Sequence, residues 1–194
     1  IEARHGDAPG VSRQALSGGA VKRKCRRVGA PASPGQRRRA EPIEFAGQSS
    51  ADKRTLLGAA LSKDKVDAAV ITSPASIAWL FNIRGGDISH SPLALAFALV
   101  PARGKPSLFI GPAKIGGNVR GHLDDVVKLK RPAAFEKGLM ALGKKRARVR
   151  LDPNSASCWI GETLKAAGAG IARGTDPTVL PRAIKNPTEI AGAR

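Results

Sequence analysis

The chain has 194 residues, with 33 lysines and arginines against 15 aspartates and glutamates, so its formal net charge is +18 at pH 7. Its three histidines and two cysteines are too few and too scattered to form a zinc-finger or multi-histidine metal cluster. Charged residues or glycines interrupt every apolar stretch before it reaches the roughly 18 residues of a membrane-spanning helix, so we expect no membrane partner. No secretory signal pattern follows Ile1, which favours a cytoplasmic location.

Residues 1–41 are predicted to form a disordered basic head, rich in Arg, Gly and Pro. Residues 1–40 carry ten basic and two acidic side chains and no aromatic one. Such a segment buries too little apolar surface to offset the entropy lost on ordering. Its clusters KRKCRR and RRR are typical of phosphate-binding patches, so a nucleic-acid-binding protein is the alternative function. Since charge blocks are more often solvated linkers, we do not expect a nucleic-acid partner.

The sequence pattern changes after the head, because apolar runs of strand length now alternate with segments of helical periodicity. Residues 42–182 are therefore predicted to fold as one domain. A helix begins near Ser50 or Asp52, with an apolar face formed by Leu56, Leu57, Ala60 and Leu61. The run DAAVIT, residues 67–72, predicts a short buried strand. Ser73 and Pro74 then predict the cap and the first turn of a second helix.

Apolar runs and helical segments continue to alternate through the rest of this domain. Residues 93–100 and 106–110 are apolar strands joined by PARGK, which predicts an antiparallel hairpin. Later helices are predicted at residues 113–123, 133–142 and 155–167, and later strands at residues 126–130, 147–152 and 170–173. The pattern indicates an α/β fold with a mixed central sheet and helices on both faces.

The stretch IAWLFNIRGGDISHSP, residues 77–92, is the strongest candidate for a binding site. It places Asn82, Arg84, Asp87 and His90 beside two glycines and just before an apolar strand, as in loops that face a ligand. The alternative is structural: Asn82 caps the helix, Arg84 pairs with Asp87, and His90 is simply exposed. Trp79 is more often a core residue than a stacking platform. Phosphate-loop, nucleophile-elbow and metalloprotease motifs do not occur.

The segment AWLFNIRGGDISHSPLALAFALV resembles the corresponding part of the Xaa-Pro aminopeptidase (aminopeptidase P) family, which carries a WL-[LF]-N-[IL]-RG-x-D motif. FAGQSSADKRTLL is similar to the helix that opens the second domain of those enzymes, and LPRAIKNPTEIAGAR to the segment that leads into their catalytic domain. The resemblance covers the chain from about Glu41 to Arg194.

The resemblance implies a creatinase-type N-terminal domain with ribonuclease-H-like topology, the second of three domains in a peptidase that removes the residue before proline. It also implies a pita-bread catalytic domain whose two Asp, one His and two Glu hold two manganese ions around the attacking water. None of those five ligands has a matching position in this sequence, and residues 183–194 are expected to be a stub leading into that domain. We therefore expect no cofactor bound by this chain and no activity by the chain alone.

These expectations combine into one functional hypothesis. The chain is a non-catalytic domain, truncated before the catalytic one, that shapes the substrate entrance and supports a homodimer of an Xaa-Pro aminopeptidase, whose substrates are peptides with proline at the second position. Asn82, Arg84, Asp87 and His90 are the candidate residues of that entrance, where Arg84 offers a planar donor for substrate charge or carbonyls.

Overall fold

The computed structural model describes residues 39–112 and 115–193. The predicted disordered head lies outside the described residues except for its last three. The predicted start of the helix at residues 113–123 also falls on residues that are not described.

The described helices and strands alternate along the chain. Eight strands are β1 (Arg39–Ala40), β2 (Ala68–Ile71), β3 (Ile83–Arg84), β4 (Phe97–Pro101), β5 (Ser107–Phe109), β6 (Lys128–Lys130), β7 (Arg148–Leu151) and β8 (Gly170–Arg173) within the described ranges. Eight α-helices, in the same ranges, are α1 (Ile43–Ala46), α2 (Ser50–Lys63), α3 (Pro74–Phe81), α4 (Gly117–Asp124), α5 (Phe135–Lys144), α6 (Cys158–Ala166), α7 (Val179–Ala183) and α8 (Pro187–Ala191).

Six of the strands form one mixed sheet in the order β6-β5-β4-β2-β7-β8. β4 pairs antiparallel with both β5 and β2, so the predicted hairpin is confirmed. The pairs β2-β7, β7-β8 and β5-β6 are parallel, as crossover helices require. The fold class predicted from the sequence is therefore confirmed, although the strand expected at residues 93–100 begins only at Phe97.

Two apolar cores lie on opposite faces of this sheet. Along β2, Ala69 and Ile71 belong to the core shared with α2, α3 and α4, whereas Val70 belongs to the core shared with α5 and α6. This alternation follows from the two-residue period of a strand. The second core contains an aromatic group in which Phe135 stacks on Phe97 with ring centroids 4.7 Å apart.

The first two predicted helices form, but the face assigned to α2 was partly wrong. Leu57 and Leu61 are buried as expected, whereas Leu56 and Ala60 are exposed. Lys53, four residues before Leu57, is also buried on that side of the helix. The Ser73 hydroxyl accepts a hydrogen bond from the Ser76 N–H at the start of α3, as the Ser-Pro pair predicts.

A small second sheet and a terminal contact were not predicted. β1 and β3 pair antiparallel, and the Glu41 N–H donates to the Asn82 carbonyl just beyond the pair at 2.7 Å. At the other end, the Asn186 side chain caps α8 and its Nδ2 donates to the Ala46 carbonyl at 2.9 Å. This bond joins α1 to α8, so the two ends of the described fold lie side by side.

Candidate functional site

The candidate loop leaves α3 at Asn82, which turns the chain. Asn82 adopts a left-handed conformation (φ 48°) as the C-cap of α3, a position in which asparagine is tolerated better than most residues. Its side chain is buried: Oδ1 accepts from Lys53 Nζ at 2.7 Å, and Nδ2 donates to the Gln48 carbonyl at 2.9 Å. The structure therefore gives Asn82 the helix-ending role of the structural alternative, and both ends of its amide are already engaged.

Lys53 is the unexpected partner in this network. Its side chain is 2% exposed, its Nζ also donates to the Trp79 carbonyl at 3.1 Å, and Nζ lies 4.6 Å from the centroid of the Trp79 ring. Burial lowers the pKa of Lys53 from 10.5 to about 8, with Arg84 adding to the decrease and the carboxylates of Glu189 and Glu41 opposing it. Trp79 thus packs on the core and covers a buried amine.

Arg84 does not pair with Asp87 as the structural alternative supposed. Its Nε lies 3.1 Å from Glu41 Oε2, and its Nη1 donates to the Ile83 carbonyl at 3.2 Å and to the Ala78 carbonyl at 3.4 Å. The residue directly opposite it across the β1-β3 pair is Arg39. Two guanidinium groups therefore stand on one face of a two-residue ladder.

Asp87 closes the base of the loop. Its Oδ2 accepts from the Leu95 N–H at 2.9 Å, and its own N–H donates to the Leu93 carbonyl at 3.1 Å. Gly85 donates to the Pro92 carbonyl at 3.1 Å, and a Cβ on Gly85 would stand 2.9 Å from that of Ala94. The close approach of the two loop arms requires a glycine there.

The loop encloses a cleft of about 500 Å³. Of the four predicted site residues, Arg84 and His90 line it together, whereas Asn82 and Asp87 do not. His90 stands at the turn with a left-handed backbone (φ 59°), between the hydroxyl-bearing Ser89 and Ser91. Arg39 also lines the cleft; it was missed because it lies in a segment that composition alone marks as disordered.

The described residues do not offer the donor set of the two-metal centre implied by the resemblance. No group of three or more His, Cys, Asp or Glu side chains converges anywhere in residues 39–112 and 115–193. The carboxylates nearest the loop are already used, Glu41 by Arg84 and Asp87 by a backbone N–H. In the same ranges, no helix is both long and apolar enough to cross a bilayer.

Comparison with known proteins assigns the class. Residues 29–189 match the family model of the creatinase/prolidase N-terminal domain, so the chain belongs to that family. The match begins before the predicted boundary at residue 42; the division into head, domain and stub stays a prediction.

The relatives are Xaa-Pro aminopeptidases. The chain is 32% identical over 175 residues to the "Probable Xaa-Pro aminopeptidase P" of Paracoccidioides brasiliensis (strain Pb03), covering 84% of this chain and 28% of the relative. It is similar to the crystal structure of the X-prolyl aminopeptidase of Caenorhabditis elegans, a cytosolic enzyme with a di-nuclear active site, with 26% identity, a TM-score of 0.76 and coverage of 84% of this chain and 27% of that one.

A third comparison concerns the fold alone. The N-terminal domain of the cytoplasmic peptidase PepQ from Mycobacterium tuberculosis H37Rv superposes with a TM-score of 0.51 at 14% identity, over 66% of this chain and 96% of that one. The chain spans less than a third of the length of the curated relatives that it matches, and its resemblance to Xaa-Pro aminopeptidases is confirmed.

Proposed function

We propose that this chain is the non-catalytic domain of an Xaa-Pro aminopeptidase that shapes the entrance for peptides with proline at the second position. The observation that carries the proposal is the Arg84–His90 cleft, built on a loop whose base is closed by backbone hydrogen bonds, in a member of the creatinase/prolidase N-terminal domain family. A rigid base with polar groups at its tip is typical of a loop that meets a substrate.

Metal-dependent hydrolysis itself would belong to residues outside those that the structure describes. The resemblance points to manganese as the metal, and a cytosolic location is proposed from the C. elegans neighbour. When bound, such a pair of metals supplies the activated water. Within this chain, Arg84 would orient the peptide by donating hydrogen bonds from the free edge of its guanidinium, and His90 would form part of the wall of the entrance.

The first test measures hydrolysis of an Xaa-Pro peptide by the purified chain with added manganese. We expect no turnover above the buffer rate, because the described residues hold no converging metal ligands. Turnover that disappears with a chelator would refute the non-catalytic role.

The second test uses a chimera in which this chain replaces the matched segment of an Xaa-Pro aminopeptidase. Arg84→Ala should raise KM several-fold while the fold is retained, whereas Arg103→Ala, which removes an exposed arginine on the β4-β5 hairpin, should leave KM unchanged. Equal KM values for the two variants would dismiss the cleft as a substrate entrance.

The supporting role in a homodimer rests on a different surface. Six of the eight large apolar side chains that are exposed among the described residues lie on α1, on α8, or on α7 and its C-cap residue; they are Ile43, Phe45, Val179, Leu180, Ile184 and Ile190. Leu180 is 69% and Ile184 66% exposed, which is costly for side chains of this size in water. Sedimentation should show a dimer that Leu180→Ser with Ile184→Ser dissociates; a wild-type monomer at high micromolar concentration would contradict this role.

A further inference from the structure

The cleft beside the Arg84–His90 loop gathers basic and hydroxyl-bearing side chains. Its lining includes the guanidinium groups of Arg39 and Arg84, the imidazole of His90 and the hydroxyls of Ser89 and Ser91. No carboxylate of the described residues lines it. Glu41, the partner of Arg84, lines a neighbouring cleft instead.

The β1-β3 ladder forces the two arginines together. Arg39 and Arg84 are directly opposed, and opposed residues of an antiparallel pair project their side chains to the same face with Cβ atoms about 5 Å apart. Like charges at that spacing repel. The single carboxylate of Glu41 compensates one of the two positive charges, and the Arg39 guanidinium has no carboxylate partner among the described residues.

Arg84 also has hydrogen-bond donors that no described residue uses. Its hydrogen bonds to Glu41, Ile83 and Ala78 use Nε and Nη1, so no described residue accepts from Nη2. A carboxylate is the anion that fits planar guanidinium donors best, because its two oxygens match two parallel N–H groups. The hydroxyls of Ser89 and Ser91 can donate to the same oxygens.

We infer that this cleft binds a carboxylate of a peptide, held between Arg39 and Arg84. The inference rests on the proposed substrate-entrance role and names the group of the peptide that the entrance recognises. Such a carboxylate belongs either to the C-terminus of a short peptide or to an Asp or Glu side chain. Peptides that carry the recognised carboxylate are bound more tightly than neutral ones.

The test is a chemical-shift titration of the full 194-residue chain in about 150 mM salt, where the charge of the basic chain is largely screened. The probes are Ala-Pro-Ala-Ala as the free acid, the same peptide as the C-terminal amide, and Ala-Pro-Ala-Glu as the amide. We expect the free acid to shift the amide signals of the loop from Gly85 to Ser91 and the neutral amide to bind at least about five-fold more weakly. Binding of only one of the two acidic probes supports the inference and identifies the source of the carboxylate.

Arg39→Gln is the decisive variant, since Arg39 forms no ion pair with another residue that the structure describes. This substitution should weaken binding of the free-acid peptide about five-fold. Arg103→Gln, which removes the same charge from an exposed turn, should leave the affinity unchanged. Equal weakening by both variants, or binding of both acidic peptides no tighter than that of the neutral amide, would overturn the inference.

Failure here is distinguishable from failure of the proposed function. If Arg84→Ala raises KM in the chimera equally for substrates with a carboxylate at either place and for neutral ones, the entrance role stands and the carboxylate assignment falls. If Arg84→Ala leaves KM unchanged while the titration still shows selective binding of the acidic peptides to the loop, the cleft binds carboxylates but does not serve as the entrance.

Discussion

Replacing Lys53 with methionine should change how the stability of the domain depends on pH. Lys53 lies on α2 with its Nζ buried against the Trp79 ring and hydrogen-bonded to Asn82 Oδ1. Its pKa falls from 10.5 to about 8 on folding. Since one pKa unit corresponds to about 1.4 kcal/mol, folding disfavours the protonated amine by about 3 kcal/mol.

The direction of the effect follows from proton binding. Between pH 8 and pH 10.5, the pKa values of the folded and the unfolded state, the unfolded chain holds a proton on Lys53 that the folded chain has released. The free energy of unfolding therefore rises with pH in this window, and this increase is lost as the pH falls back towards 8. Between about pH 7 and pH 9.5, the contribution of Lys53 to the free energy of unfolding rises by about 2 kcal/mol.

Urea unfolding followed by tryptophan fluorescence measures this at several pH values. The difference in unfolding free energy between wild type and Lys53→Met should grow by about 2 kcal/mol from about pH 7 to pH 9.5 in favour of the wild type. Lys63→Met removes an exposed lysine from the same helix and should follow the wild-type profile. Parallel profiles for wild type and Lys53→Met would refute the burial of a titrating amine at this position.

Three further substitutions test the packing, each by urea or thermal unfolding. Gly143→Ala should destabilise by about 2 kcal/mol, because its Cβ would collide with Ala167, whereas Gly161→Ala, whose Cβ meets only ordinary contacts, should be neutral or stabilising by up to about 1 kcal/mol. Phe135→Ala should cost about 3 to 4 kcal/mol, since it removes the centre of the aromatic group; Phe135→Leu should cost less than half as much. Asn186→Ala should cost about 1 to 2 kcal/mol through loss of the α8 cap and of the bond to α1, and an unchanged midpoint would show that this contact is not maintained.

The central sheet could be predicted because its strands carry their own signal. The run at β2 is apolar on both faces, as expected for a strand covered by helices on each side, and PARGK is a recognisable hairpin connection. Ser73-Pro74 located the start of α3 for the same reason: the cap and the first turn are local chemistry.

The features around the candidate site could not be predicted, because distant residues create them. β1 has two residues in a polar context and exists only through its pairing with β3. The burial of Lys53 depends on the carbonyl of Trp79 and the amide of Asn82, which lie 26 and 29 residues further along the chain. A pattern of helical periodicity places a lysine on the solvent-exposed side. The polar partners that allow Lys53 to be buried are distant in sequence, so no local pattern predicts them.

The two edge strands of the six-stranded sheet, β6 and β8, carry part of the net positive charge. β6 exposes Lys128 and Lys130, and β8 exposes Arg173 at its end. Cations along an open border repel the border of another sheet and discourage strand-by-strand growth into aggregates. The basic side chains on the two edge strands therefore disfavour edge-to-edge association of the sheet with a second molecule.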